Sequence, residues 1–169
     1  FLGGLDVLIN NAGSLVARKS LAEGDDSFWT QVMALNFDSM RHVTRAAAPH
    51  LIAAAKTGGG ASIVNLSSIA GRRGGAAGAL AYATAKGAIL TFTRGLASEL
   101  SSHGVRVNAL APGLILGTYF HNTHTTPEAA AGIVAGIPLG RAGNADDVAR
   151  AAVFLASEYD GFITGVTLD

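Results

Sequence analysis

The 169-residue chain has no cysteine. Disulfides and thiol catalysis are therefore excluded, and a reducing compartment suits it, so a cytoplasmic location is the expectation. Charge is scarce. Only 14% of residues carry one, and twelve Lys and Arg cancel twelve Asp and Glu, which leaves no electrostatic footprint for nucleic acid. The longest apolar runs are too short to span a bilayer, and the opening residues show neither the basic region nor the cleavage site of a signal peptide. No repeat, linker or second domain interrupts the chain. What is present is apolar: 49% of residues are hydrophobic, enough for one alanine- and glycine-rich globular domain with a sizeable core.

Strand and helix patterns alternate. Leu5 to Ile9 is a short, nearly continuous apolar run, the signature of a strand buried on both faces, and Ser62 to Leu66 and Val105 to Leu110 read as the second and third strands. Phe162 to Leu168 reads as a last strand. From Asp25 to Ala55 an apolar stripe at helical spacing predicts a helix, kinked or split at Pro49. A second helix is expected from Leu80 to Ser102, with Gly104 as the residue that ends it. Thr126 and Pro127 open a short one, and Asn144 caps another that runs to Ser157. This alternation predicts a parallel sheet covered by helices on both faces, a three-layer α/β arrangement.

One stretch holds candidate chemistry. Ser68 closes the second strand, a glycine-rich loop follows, and Tyr82 and Lys86 stand four apart at the start of a helix. Residues at that spacing share a helix face. A nearby cation lowers a tyrosine pKa from its usual ~10, and a tyrosine so lowered can exchange a proton with a carbonyl or alcohol oxygen near neutral pH. Taken alone, the pair reads as a half-buried tyrosine and a solvated lysine. His121 and His124 are three apart, but no carboxylate or cysteine completes a metal site by spacing, and no metal is expected. Arg72 and Arg73 read as a solvated loop tip.

The pair has companions. NNAG at Asn10–Gly13, Asn36 within a helix, NLSSIAG around Ser68, YATAK at Tyr82–Lys86 and the APG turn at Ala111–Gly113 occur in that order, followed by IPLGRAGNADDVARAAVFLAS and ITG. In these features the chain resembles the short-chain dehydrogenase/reductase family, and within it the 3-oxoacyl-(acyl-carrier-protein) reductase-like group. The resemblance implies a Rossmann-like doubly wound sheet and an NAD(P)-dependent oxidoreductase that interconverts a secondary alcohol and a ketone. It implies Tyr82 as acid/base, Lys86 as the cation beside it and the holder of the nicotinamide ribose, Ser68 as the group orienting the substrate oxygen, and Asn36 as the anchor of a proton-relay water. Asn10, Ala12 and Gly13 would line the adenosine side of NAD or NADP, and Pro112, Gly113 and Ile115 the nicotinamide. Residues 114–137 would form a lid. A homodimer or homotetramer is implied, with a small carbonyl or alcohol substrate.

There are departures from the family pattern. The Ser68-to-Tyr82 interval is about one residue longer than usual, and Gly117 stands where a threonine is usual, with Thr118 one step later. No glycine-rich phosphate turn precedes Asn10, so the residue that would choose NAD or NADP is not readable. The expectation is a partial Rossmann-type domain over residues 1–169, lacking the first strands and the last residues of its relatives. The alternative is a catalytically inactive remnant that serves as an interaction module.

Overall fold

The computed structural model describes residues 3–169. Four parallel strands form one sheet in the order β1 (Val7–Asn10), β2 (Ala61–Leu66), β3 (Val105–Leu110), β4 (Thr167–Leu168). The register sets Asn10 opposite Asn65, Asn65 opposite Ala109, and Ala109 opposite Thr167. Helices α1 (Asp26–Met33), α2 (Ser39–Ala54), α3 (Ala70–Arg73), α4 (Leu80–Leu100), α5 (Tyr119–His124), α6 (Pro127–Val134) and α7 (Ala145–Ala156) fill the connections. Every residue of β2 is buried. Ile63 and Val107 meet Leu51 of α2 and Ala97 and Leu100 of α4 on one face. Val64, Leu66 and Leu110 meet Ala152 and Leu155 of α7 on the other. The buried run of β2 follows from this double cover, whereas β1, expected to be buried on both faces, leaves Val7 and Ile9 exposed because no helix among the described residues covers that side of it.

A buried row of polar side chains joins the two central connections. The Asn10 side-chain N–H₂ donates to Thr44 Oγ1 at 2.9 Å and to Asn65 Oδ1 at 2.8 Å, and Asn65 Nδ2 donates to Thr93 Oγ1 at 3.0 Å. The row ties β1 and β2 to α2 and α4, so a sheet that is otherwise greasy is fixed in register by directional bonds.

Four expectations are corrected here. Pro49 lies inside α2 without splitting it. The helical ladder changes earlier, at Ala34–Asp38, where it widens to a π turn and Ser39 N–H reaches back to Ala34 O. The cause is Asn36, whose Nδ2 takes the Val32 carbonyl at 2.9 Å, the acceptor its own main-chain N–H would use in a regular helix. The last strand is two residues long rather than seven. Gly165 at φ +77° turns the chain, and the Asn108 side chain, bonded to Ile163 O and Val166 N, takes polar groups that a longer strand would pair. The first strand pairs over Val7–Asn10, displaced from Leu5 to Ile9. Arg72 is no free loop tip, since its Nε donates to Asp169 Oδ1 at 2.6 Å and its Nη2 to Thr167 O at 3.3 Å. α4 ends through a 3₁₀ turn into Gly104 at φ +75°. No helix among the described residues is long and apolar enough to cross a membrane.

Replacing Asn65 by Leu removes the donor to Thr93 Oγ1 and one of the two acceptors of the Asn10 amide nitrogen in the core. Each orphaned group costs about 1–3 kcal/mol, so urea denaturation of Asn65→Leu is expected to show a loss of at least ~2 kcal/mol. A loss below half that value would mean the row contributes little.

Candidate functional site

The site lies at the carboxyl ends of β1, β2 and β3, where crevices open in parallel α/β sheets. Each strand delivers one piece. After β1 the chain exposes Asn11, Ala12 and Gly13. After β2 come Ser67 and Ser68, and after β3 the Ala111–Gly113 turn, whose Pro112 carbonyl accepts from Ile69 N–H at 3.1 Å.

Lys86 sits at the centre, 4% exposed. Its Nζ donates to the Leu66 carbonyl at 2.8 Å, and burial holds its pKa down to about 8. It therefore remains mostly protonated at neutral pH. Its Nζ is 5.7 Å from the centre of the Tyr82 ring, one helical turn back on α4. The Tyr82 phenol is pushed above its usual pKa by burial, with the facing Ser68 hydroxyl pulling the other way through hydrogen bonding. This corrects the expectation of a lowered tyrosine. Burial dominates, and the Lys86 ammonium is drawn toward the Leu66 carbonyl.

The two serines have separate tasks. Ser67 Oγ is buried and donates to the Lys86 carbonyl at 2.7 Å, so it fastens β2 to α4. Ser68 Oγ accepts from Ala70 N–H at 3.1 Å, which starts the single turn α3. The expected loop thus begins as a helix. Gly71 in that turn lies against the α4 backbone, where a Cβ would stand 2.7 Å from Lys86 C and 2.8 Å from Gly87 N. Only a residue without Cβ lets α3 press Ser68 toward Tyr82. The sequence signal was the glycine of IAG, which its neighbours in a glycine-rich stretch concealed.

Asn36 is fully buried. Its Oδ1 accepts from Ser14 N–H at 3.0 Å and its Nδ2 donates to Ser14 O at 2.8 Å, so it grips the loop after β1. A Cβ at Gly13 would be 2.7 Å from Asn36 Oδ1 and 3.0 Å from Lys86 Nζ. Gly13, Asn36 and Lys86 therefore converge. Asn10 is placed differently: its amide nitrogen is spent on Thr44 and Asn65. Ile115 is pinned beyond the turn by a bridge to Gly143. Thr118 caps α5, donating to Ile115 O and accepting from His121 N–H, and Gly117 before it has φ +75°.

Residues 114–137 hold two short helices rather than one. α5 lays Phe120 against Tyr82, ring centres 5.5 Å apart, with His121 and His124 on the edges of Phe120. His121 Nδ1 pairs with Thr125 Oγ1 at 2.9 Å, and burial lowers its pKa. A cleft between α5 and α6 is lined by Leu116, His121, Asn122, Thr125, Pro127 and Ala130. Among the described residues no three His, Asp or Glu gather as metal ligands.

A parallel sheet with helices on both faces, and loops converging at the strand ends on a buried lysine, defines a Rossmann-like α/β protein. The family model described as Enoyl-(Acyl carrier protein) reductase matches residues 1–169. The chain is 39% identical over 168 residues to Nodulation protein G of Azospirillum brasilense, covering 99% of this chain and 65% of that protein. It is 36% identical over 166 residues to 3-oxoacyl-(acyl-carrier-protein) reductase FabG of Haemophilus influenzae, covering 98% and 65%. The crystal structure of NADH-dependent reductase A1-R′ complexed with NAD superimposes with a TM-score of 0.82 at 38% identity, covering 98% of this chain and 62% of that one. The chain belongs to the short-chain dehydrogenase/reductase family, and it spans less than two thirds of the length of these relatives.

Gly71→Ala is expected to push α3 off α4, because the obstacle is backbone rather than a movable side chain. Overpacking of this kind costs about 1–3 kcal/mol. Thermal unfolding of the variant should show that loss, and an unchanged melting temperature would contradict the close approach.

Proposed function

We propose that these residues are the catalytic part, within one partial Rossmann-type domain, of an NAD(P)-dependent oxidoreductase acting on a secondary alcohol or its ketone. The observation that carries this reading is the grouping of Ser68, Tyr82 and Lys86 at the carboxyl ends of β1, β2 and β3, with the cation buried and Phe120 closing over the phenol. The loops fit a dinucleotide. Ala12 and Gly13 are exposed after β1, Gly13 is kept free of Cβ by Asn36 and Lys86, and Pro112 and Gly113 follow the carboxyl end of β3. In this reading Ala12, Gly13 and Lys86 hold the ribose and adenosine side. Asn10 contributes through groups other than its committed amide nitrogen, and Pro112, Gly113 and Ile115 flank the nicotinamide. The nicotinamide supplies or accepts the hydride when bound.

The chain's own residues handle the proton. Ser68 holds the substrate oxygen beside Tyr82. Tyr82, whose burial favours the neutral phenol, donates its proton to a carbonyl oxygen, and the phenolate left behind is stabilised by the Lys86 ammonium. Asn36 fixes the loop after β1 through Ser14, and so sets the wall that Lys86 faces. The relatives named for acyl-carrier-protein substrates support a ketone reductase. The remnant reading predicts no turnover in the whole protein under any condition.

Tyr82→Phe is expected to lower turnover by the ~10²–10⁴-fold typical of general acid–base groups while cofactor titration stays near normal. In the alcohol-oxidising direction the phenol must first give up its proton, so the rate should rise with pH through the alkaline range; ketone reduction should not. Undiminished turnover in the phenylalanine variant, measured against a panel of ketones with NADH and NADPH, would end this reading.

A homo-oligomer is proposed as well. α2 exposes Val43 with Ala46 and Ala53, and α4 exposes Leu80, which suits helix packing across a symmetry axis. Light scattering should give a multiple of the chain mass at micromolar concentration, and a monomer mass would count against it.

A further inference from the structure

One strained turn and one arginine have no part in the roles above. Val16 has φ +67°, a region that a β-branched side chain enters only under constraint. The Ala17 N–H bonds the Leu15 carbonyl across it at 2.9 Å, which makes residues 15–17 a γ-turn of the rarer, strained hand. Both sides of the turn are clamped. Upstream, Asn36 grips Ser14, whose Oγ accepts from Val16 N–H at 3.3 Å, and Leu15 is buried. Downstream, Arg18 Nη1 donates to Ala77 O at 3.1 Å, Arg18 Nη2 to His124 O at 3.2 Å, and Lys19 N–H to Gly78 O at 2.9 Å. Gly78 makes room for this approach, since a Cβ there would be 2.9 Å from Arg18 Cβ.

Strain of this kind persists only where its surroundings enforce it, and it gathers at working parts of a protein. The turn aims one guanidinium at two carbonyls that no regular ladder brings together. Ala77 lies in the loop that leads into Tyr82. His124 is the last residue of α5, and its carbonyl is among those a helix end leaves without an internal partner. The same α5 carries Phe120 onto Tyr82.

We propose that Arg18 is a positioning residue: by bonding Ala77 and His124 it holds α5, and with it Phe120, over Tyr82, and the strained turn at Val16 aims it there. The consequence for turnover rests on the reading of Tyr82 given above; the tie itself does not. An arginine is required because its planar fork serves two acceptors at once, whereas a lysine presents a point charge to one.

Hydrogen exchange measured by mass spectrometry on the protein, Arg18→Ala and Arg18→Lys tests the tie without any assay of activity. Losing both bonds should speed exchange over residues 118–125 and 74–79 by about tenfold in Arg18→Ala, with Arg18→Lys between and with α4 and β2 unchanged. Unchanged protection of α5, or equal acceleration across α4, would overturn the proposal. In the kinetic arm the probes are acetoacetate and its neutral ethyl ester. Arg18→Ala should raise KM for both by roughly tenfold while kcat stays within about threefold, because a loosened α5 weakens substrate capture and leaves the proton donor in place. A loss confined to acetoacetate would mean that Arg18 binds the substrate carboxylate instead, which also overturns it. If the unaltered protein reduces no ketone, the reading of Tyr82 fails, and the exchange result still decides the tie.

Discussion

A buried ammonium without a carboxylate is the constraint around which this structure is arranged. Among the described residues Lys86 has the Leu66 carbonyl as its hydrogen-bond partner, and a cation in low dielectric is costly unless several dipoles face it. The surroundings answer that cost by closeness. Gly13 lets the loop after β1 approach the ammonium, Gly71 lets α3 press on the lysine's main chain, Ser67 ties that main chain down, and Asn36 stands beside the ammonium. The lowered pKa is the trace of what remains uncompensated. An anion or an electron-rich ring drawn to this point gains from a charge that the fold has not neutralised.

Asn36 links the local and the global. By taking the Val32 carbonyl it widens one turn of the helical run from α1 to α2, and by holding Ser14 at both main-chain groups it positions the loop after β1. The distortion and the anchoring are one event. A leucine at the same position would restore a regular ladder and release the loop, so the irregularity belongs to the site rather than to helix propensity.

Much of this was legible in the amino-acid sequence. The run that became β2 is mostly apolar because helices cover both faces, and the bounds of β2 and β3 agree with the sequence reading to within one residue. Tyr82 and Lys86 declare a shared face by spacing alone. Other features were hidden because they depend on what meets what across the fold. Pro49 suggested a break that α2 absorbs, while the real break came from an asparagine side chain competing for a carbonyl. The last run looked like a long strand, but Asn108 and Gly165 divert it. Burial outweighed the lysine at Tyr82, which helical spacing cannot reveal. The role of Arg18 is illegible in the sequence because its acceptors, 59 and 106 residues away, are main-chain carbonyls that any sequence supplies.

Two of the chain's 22 glycines show opposite tolerance to change. At position 71 the space for a Cβ is already occupied by the backbone of α4, and no neighbouring side chain can step aside. At position 95, in the body of that same helix, a Cβ would meet open space, and alanine there would be expected to gain some of the ~1 kcal/mol that glycine forfeits in a helix. A mutational library built on this chain would thus find its freedom on the surface of α4 and its prohibition in the turn that presses on that helix. Glycine content alone is no guide to which positions may vary.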